Sequence, residues 1–170
     1  VLVFVFTALS SGGAVIISQY VGRGDGRRAE RSAGQLLMIS VLISAALTAL
    51  ILAFHSQLLI LLFGRVEAQV MAASRSYLLI TTCSIPALAV YDVGAALCRS
   101  IGKAGATMYI STAANLVNII GNCVGVFVLH LGAEGVAWPS LFSRILSAAA
   151  VTVYCARQGN AVRYRFPDIF

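Results

Sequence analysis

Charge is what this sequence has least of. Of 170 residues, 12 are Lys or Arg and 6 are Asp or Glu, 11% together, whereas 59% are apolar. A water-facing globular domain carries about 25% charged residues, so an ordinary soluble enzyme and a disordered chain are both excluded. The net charge of +6 does not point to nucleic acid, because no Lys/Arg cluster with interleaved aromatics occurs. Histidine is nearly missing: His55 and His130 stand alone, and Cys83, Cys98, Cys123 and Cys155 have no paired spacing. That excludes a zinc site and a disulfide framework. No set of nucleophile, base and oxyanion donors can be assembled, so neither an enzymatic activity nor a cofactor is expected. Segments of alternating polarity about ten residues long, the mark of a membrane barrel, are missing too.

What the chain has instead is long runs without charge. They cover residues 1–22, 32–64, 76–91 and 104–133, and a further apolar stretch, 136–156, is interrupted only by Arg144. Roughly 20 apolar residues cross a bilayer as a helix, and lipid offers no partner for unpaired backbone groups. The fold class expected is therefore an all-α membrane protein, a polytopic bundle of five transmembrane helices at about 1–21, 32–54, 76–98, 106–129 and 136–156. Residues 1–157 form the bundle. The polar tail 158–170, with Pro167, reads as a cytoplasmic connector leading onward.

Basic residues orient the spans. Arg23, Arg27, Arg28, Arg31, Arg99, Lys103, Arg157, Arg163 and Arg165 fall on one side, against Arg65 and Arg75 on the other. The first side is assigned to the cytoplasm, together with the C-terminus. The first helix then starts outside, without a positively charged leader, so a preceding helix is expected rather than a signal peptide. Residues 130–135 read as a tight external turn that makes the last two helices antiparallel neighbours. Residues 58–63 read as the end of a span or a short interfacial helix.

Polar residues inside the spans are the candidate site. Ser111, Asn115, Asn118 and Asn122 fall within about 60° of one another on the fourth helix, and Gly121 and Gly125 form the adjoining stripe. Such a row serves either as interhelical hydrogen-bonding glue or as a set of carbonyl ligands for a cation. On the fifth helix Ser140, Arg144 and Ser147 form a matching row. A rise of ~1.5 Å per residue puts Asn122 level with Ser140, and Asn118 near Arg144. Pro139 is read as lying in a first helical turn. Asp92 is either a proton or cation site or a vestibule residue paired with Arg99 or Lys103. Arg144 either binds an anionic group or makes a structural ion pair. Pro86 is expected to kink the third helix and act as a hinge.

The segment Gly22-Arg23-Gly24-Asp25-Gly26 lacks the Lys-Ser/Thr of a phosphate loop and follows a span rather than a strand, so it reads as a turn. Its Arg-Gly-Asp tripeptide lies on the expected cytoplasmic side and is not an adhesion motif.

Four segments in order, SSGGAVIISQYVGRGDGRRAERSAGQ, ALCRSIGKAGATM, NLVNIIGNCVGVF and GAEGVAWPSLFSR, resemble the N-terminal lobe of the multidrug and toxic compound extrusion (MATE) family, from its helix two through helix six. The resemblance implies a fragment of an ion-coupled antiporter in the bacterial inner membrane, exporting small organic cations or drugs in exchange for Na⁺ or H⁺. Its partners would be the lipid bilayer and, within the same protein, helix one and a C-terminal lobe. In members with a described cation site, an Asn and an Asp one turn later lie on helix five, a Thr on helix six and an Asp on helix one. Asn118 matches that Asn and Ser140 the Thr. Asn122 stands where the Asp would be, so a titratable group is replaced by a neutral oxygen that still suits Na⁺. The resemblance puts Asn118, Asn122 and Ser140 on a cation or substrate cavity, with Asn115 beside them and Asp92 as the acidic residue left for proton coupling. Two alternatives stand beside it. One is a flippase for lipid-linked oligosaccharides of the same superfamily, whose anionic substrates would suit Arg144. The other is a truncated membrane protein without transport activity.

Overall fold

The structure, a computed structural model, describes residues 2–64 and 67–157. The connector expected at 158–170 lies outside the described residues, as do Arg65, Arg163 and Arg165. Helices α1 (Leu2–Gly22), α2 (Gly26–Phe63), α3 (Ala68–Cys83), α4 (Ile85–Ser100), α5 (Ala104–Cys123) and α6 (Glu134–Arg157) follow one another, with a π-helical segment, Val124–Val128, closing α5. No strand occurs among the described residues. Five stretches are long and apolar enough to cross a membrane: Phe4–Gly22, Gly26–Leu61, Ala68–Ser100, Ala104–Val128 and Glu134–Arg157. The chain is an all-α, multi-pass membrane protein.

Several helix ends depart from expectation for local reasons. The first linker is a tight turn: Gly24 adopts a positive φ of 74°, and Asp25 accepts from the backbone N–H of Arg28 at 3.2 Å, capping α2. That cap starts α2 at Gly26, so Arg27, Arg28 and Arg31 ride its first turns instead of a loop. At 38 residues, α2 is about 57 Å long and overshoots a hydrocarbon core of about 30 Å. Residues 58–63 are simply its last turns, stopped at Gly64, whose φ is 62°. The third span starts at Ala68, earlier than expected, and is broken at Ser84 into α3 and α4. Pro86 therefore sits in the first turn of α4, where its missing N–H costs least. Pro139, by contrast, is inside α6 rather than in its first turn, because α6 already begins at Glu134.

α4 is the centre of the lobe. Its Ala89, Val93, Gly94, Ala95, Ala96, Leu97 and Cys98 are all buried, a run of mostly small side chains that lets neighbouring backbones approach in lipid. On one flank Val93 and Leu97 pack with Ile17 of α1 and Ala29, Ala33 and Leu36 of α2. Ile85 and Ala89 pack with Phe6 of α1. On the other flank Cys98 meets Val151 and Cys155 of α6. α5 and α6 form an antiparallel pair around two glycine contacts. Gly121 faces the ring of Pro139, and Gly125 faces the backbone of Gly135 so closely that a methyl group on either glycine would collide with the other residue's carbonyl. The expected small-residue stripe at Gly121 and Gly125 is thus the α5–α6 seam.

Candidate substrate cleft

Beside that seam a cleft of about 290 Å³ opens between α4, α5 and α6. Ser111, Asn115 and Asn118 of α5 line one wall; Ser140, Ser143, Arg144 and Ser147 of α6 line the facing one. Leu88 and Tyr91 of α4 contribute to the lining as well. One charged side chain, Arg144, is present in it.

The amides are organised as a chain of donors. Asn118 Nδ2 donates to Ser140 Oγ at 3.1 Å and to Ser143 Oγ at 3.2 Å. Asn122 Nδ2 donates to Asn118 Oδ1 at 3.0 Å. Both N–H groups of Asn118 are therefore spent on α6, and its oxygen is already an acceptor. The two serines pass their own protons to backbone carbonyls, Ser140 to Val136 and Ser143 to Ser140. Every link is satisfied except the last: Asn122 Oδ1 is buried and has no hydrogen-bond partner. A buried acceptor left unpaired costs about 1–3 kcal/mol, and a neutral amide oxygen is a ligand that a hard cation takes.

The register differs from the depth arithmetic by about half a turn. Asn118, not Asn122, meets Ser140, because the Gly125–Gly135 and Gly121–Pro139 contacts set how the two helices slide past each other. Asn122 is half-buried and one turn beyond the cleft, while Asn115 is exposed in the cleft wall. Ser143 falls outside the row Ser140, Arg144 and Ser147, which follows i, i+4 and i+7 on α6. A second hydroxyl three residues on from the first was the signal for it.

Arg144 has a neutral partner. Its Nη1 donates to Ser84 Oγ at 2.6 Å, and Ser84 Oγ donates in turn to Thr81 O. The residue at the break between α3 and α4 is thus tied to mid-α6, in place of the carboxylate expected for a structural pair. Nothing in the spacing of Ser84 and Arg144, 60 residues apart, foretold this contact. Asp92, on α4 next to Tyr91, is not among the cleft-lining residues. Its Oδ2 is buried without a hydrogen-bond partner, and among the described residues no ion pair joins it to Arg99 or Arg144. No group of three or more His, Cys, Asp or Glu side chains able to hold a metal occurs among the described residues.

The sequence profile of the MatE family matches residues 1–124, well over half of the chain. The chain belongs to the MatE family. It is similar to the uncharacterized transporter YisQ of Bacillus subtilis (strain 168), with 27% identity over 156 residues, 89% of this chain and 34% of that protein. Among solved structures it resembles a multidrug resistance MATE family transporter of the MOP superfamily in its inward-facing conformation, with a TM-score of 0.90 and 18% identity. The outward-facing conformation of such a transporter gives 0.89 and 19%. Both likenesses cover 99% of this chain and 38% of the other. At such identities they establish the fold: these helices are arranged as part of a MATE chain. The MatE chain described here spans little more than a third of those structures.

Proposed function

We propose that the intact protein is an ion-coupled antiporter that exports small organic cations or drugs across the bacterial inner membrane. In this reading the five helices are most of its N-terminal lobe, and helix one and a C-terminal lobe complete the path. The observation that carries the reading is the hydrogen-bonded chain Asn122–Asn118–Ser140/Ser143, which lies in and beside a polar cleft and ends in an unpaired buried oxygen. Asn118 is the structural link of that chain, and Asn122 Oδ1 is the group with coordination to spare. With a Na⁺ ion bound, Asn122 and Ser140 would supply neutral oxygens, and the ion would supply the driving gradient. Neither side chain titrates near neutral pH, so proton coupling falls to Asp92, the half-buried acidic residue of α4. Pro86 and Ser84 mark the hinge in this scheme. No covalent step is required.

The test is efflux of two dyes, ethidium, a plain cation, and rhodamine B, a zwitterion, from proteoliposomes holding the full-length protein, driven in turn by imposed Na⁺ and pH gradients. Efflux under one gradient is expected, and the Asn118→Ala/Asn122→Ala pair should lose the gradient dependence, a coupling of ordinarily ~5–150-fold. Unchanged efflux in that pair would remove both residues from the mechanism. Arg144 favours the second reading, a flippase for anionic lipid-linked oligosaccharides, which the absence of ion-driven efflux of either dye would promote.

A further inference from the structure

We infer that the cleft takes a cargo bearing an anionic group, a carboxylate for choice, on Arg144, so that among organic cations it selects zwitterions. The inference rests on the transport reading and narrows its substrate class.

A guanidinium within a membrane span costs about 3 kcal/mol without compensation. Here the compensation from protein is slight: one bond to a neutral hydroxyl, Ser84 Oγ, and no ion pair among the described residues. No acidic side chain lines the cleft. Asp92 of α4 lies outside that lining and makes no ion pair with the guanidinium among the described residues.

The hydroxyls of α6 sharpen the point. Ser140, Ser143 and Ser147 each send their proton to a backbone carbonyl, of Val136, Ser140 and Arg144 respectively. None is left to donate to a ligand. Asn118 has also spent both of its N–H groups. A guanidinium carries five N–H donors in a planar fork suited to two carboxylate oxygens, and one bond to Ser84 leaves most of them unspent. On this face of α6 the remaining donor is Arg144, whereas the serine oxygens offer lone pairs. Tyr91 adds an aromatic ring to the same lining, a surface that attracts a cationic group. The cleft therefore has a donor for an anion and acceptors for a cation within one lining. A simple organic cation would leave Arg144 opposed to it; a zwitterion satisfies both.

Rhodamine B, a zwitterion at neutral pH, and its ethyl ester, a cation on the same ring system, differ at the one group in question. Binding to the purified full-length protein is followed by fluorescence anisotropy, and transport by dye movement in proteoliposomes. Wild type should bind and move the acid about tenfold or more in preference to the ester, the fold-change expected for a charge-assisted hydrogen bond. Arg144→Gln should bring that ratio near one, and Arg144→Lys should retain part of it. Because the readout is a ratio of two dyes on one sample, partial misfolding of a variant cancels. Equal or better handling of the ester by wild type, or an unchanged ratio in Arg144→Gln, overturns the inference. Acid-selective binding without movement of either dye supports the anion site and overturns the transport reading.

Discussion

Replacing Asn118 with Ala should destabilise the protein more than replacing Asn122 with Ala, although the two amides are one turn apart on the same helix. Asn118 makes three side-chain hydrogen bonds, at 3.1, 3.2 and 3.0 Å, two of them across the α5–α6 interface. Interhelical hydrogen bonds in membranes average about 0.6 kcal/mol and reach about 1.7, so losing all three costs about 2 kcal/mol. Asn122 makes the last of those bonds and also buries an oxygen with no partner. Its removal forfeits about 0.6 kcal/mol and strips Asn118 Oδ1, in the cleft wall, of its donor, but relieves an unpaired acceptor worth about 1–3 kcal/mol, leaving the protein close to wild type in stability. The assay is unfolding of the purified intact protein by titration with SDS, followed by circular dichroism, with and without Na⁺. A ligand that binds only the folded state raises stability by mass action, so Na⁺ should stabilise wild type and leave Asn122→Ala unmoved. The reasoning is refuted if Asn118→Ala stays within about 0.5 kcal/mol of wild type, below even one average bond, or if Asn122→Ala is the more damaging change.

Three further outcomes follow from the packing. Gly125→Ala drives a methyl group into the Gly135 carbonyl and should cost about 1–3 kcal/mol, as overpacking does, while Gly12→Ala, with open space around it, should be close to neutral in the same SDS titration. Gly94→Ala meets the Val151 side chain, so Val151→Ala should recover most of its loss in a double-mutant cycle; additive losses would contradict the contact. Cys98 and Cys155 bring their Sγ atoms to 3.7 Å in the core between α4 and α6. Diamide, taking up two hydrogens, should join them in one intramolecular disulfide seen as a loss of about 2 Da by intact mass, whereas exposed Cys83 and Cys123 remain free to alkylate.

Charge-free length was enough to read five membrane helices, because a span must satisfy its own backbone and few side chains other than apolar ones tolerate lipid. An interruption of the third span near Pro86, expected as a kink and found as a break at Ser84, and the small-residue seam at Gly121 and Gly125 were legible too, since a missing N–H and a missing Cβ act locally. Helix ends were not. Asp25 caps α2 a turn and a half before the charged stretch is over, and α6 starts early enough to enclose Pro139. Within the site, the polar rows of α5 and α6 were legible as facing one another across two antiparallel helices, but Asn122 rather than Asn118 was expected opposite Ser140, and Ser143 and Ser84 were not legible at all.

What the chain's composition and order determined by themselves is the class, the number of spans and the helix faces that carry polar groups. These follow from rise per residue, turn per residue and the cost of polar atoms in hydrocarbon. Only the tertiary structure decided which amide bonds which serine, that Arg144 answers to a hydroxyl 60 residues away, and that Asn122 keeps an oxygen in reserve. Those outcomes depend on how far one helix slides along another, and that sliding is set by contacts such as the touch of Gly125 on Gly135, to which no periodicity in a single helix gives access.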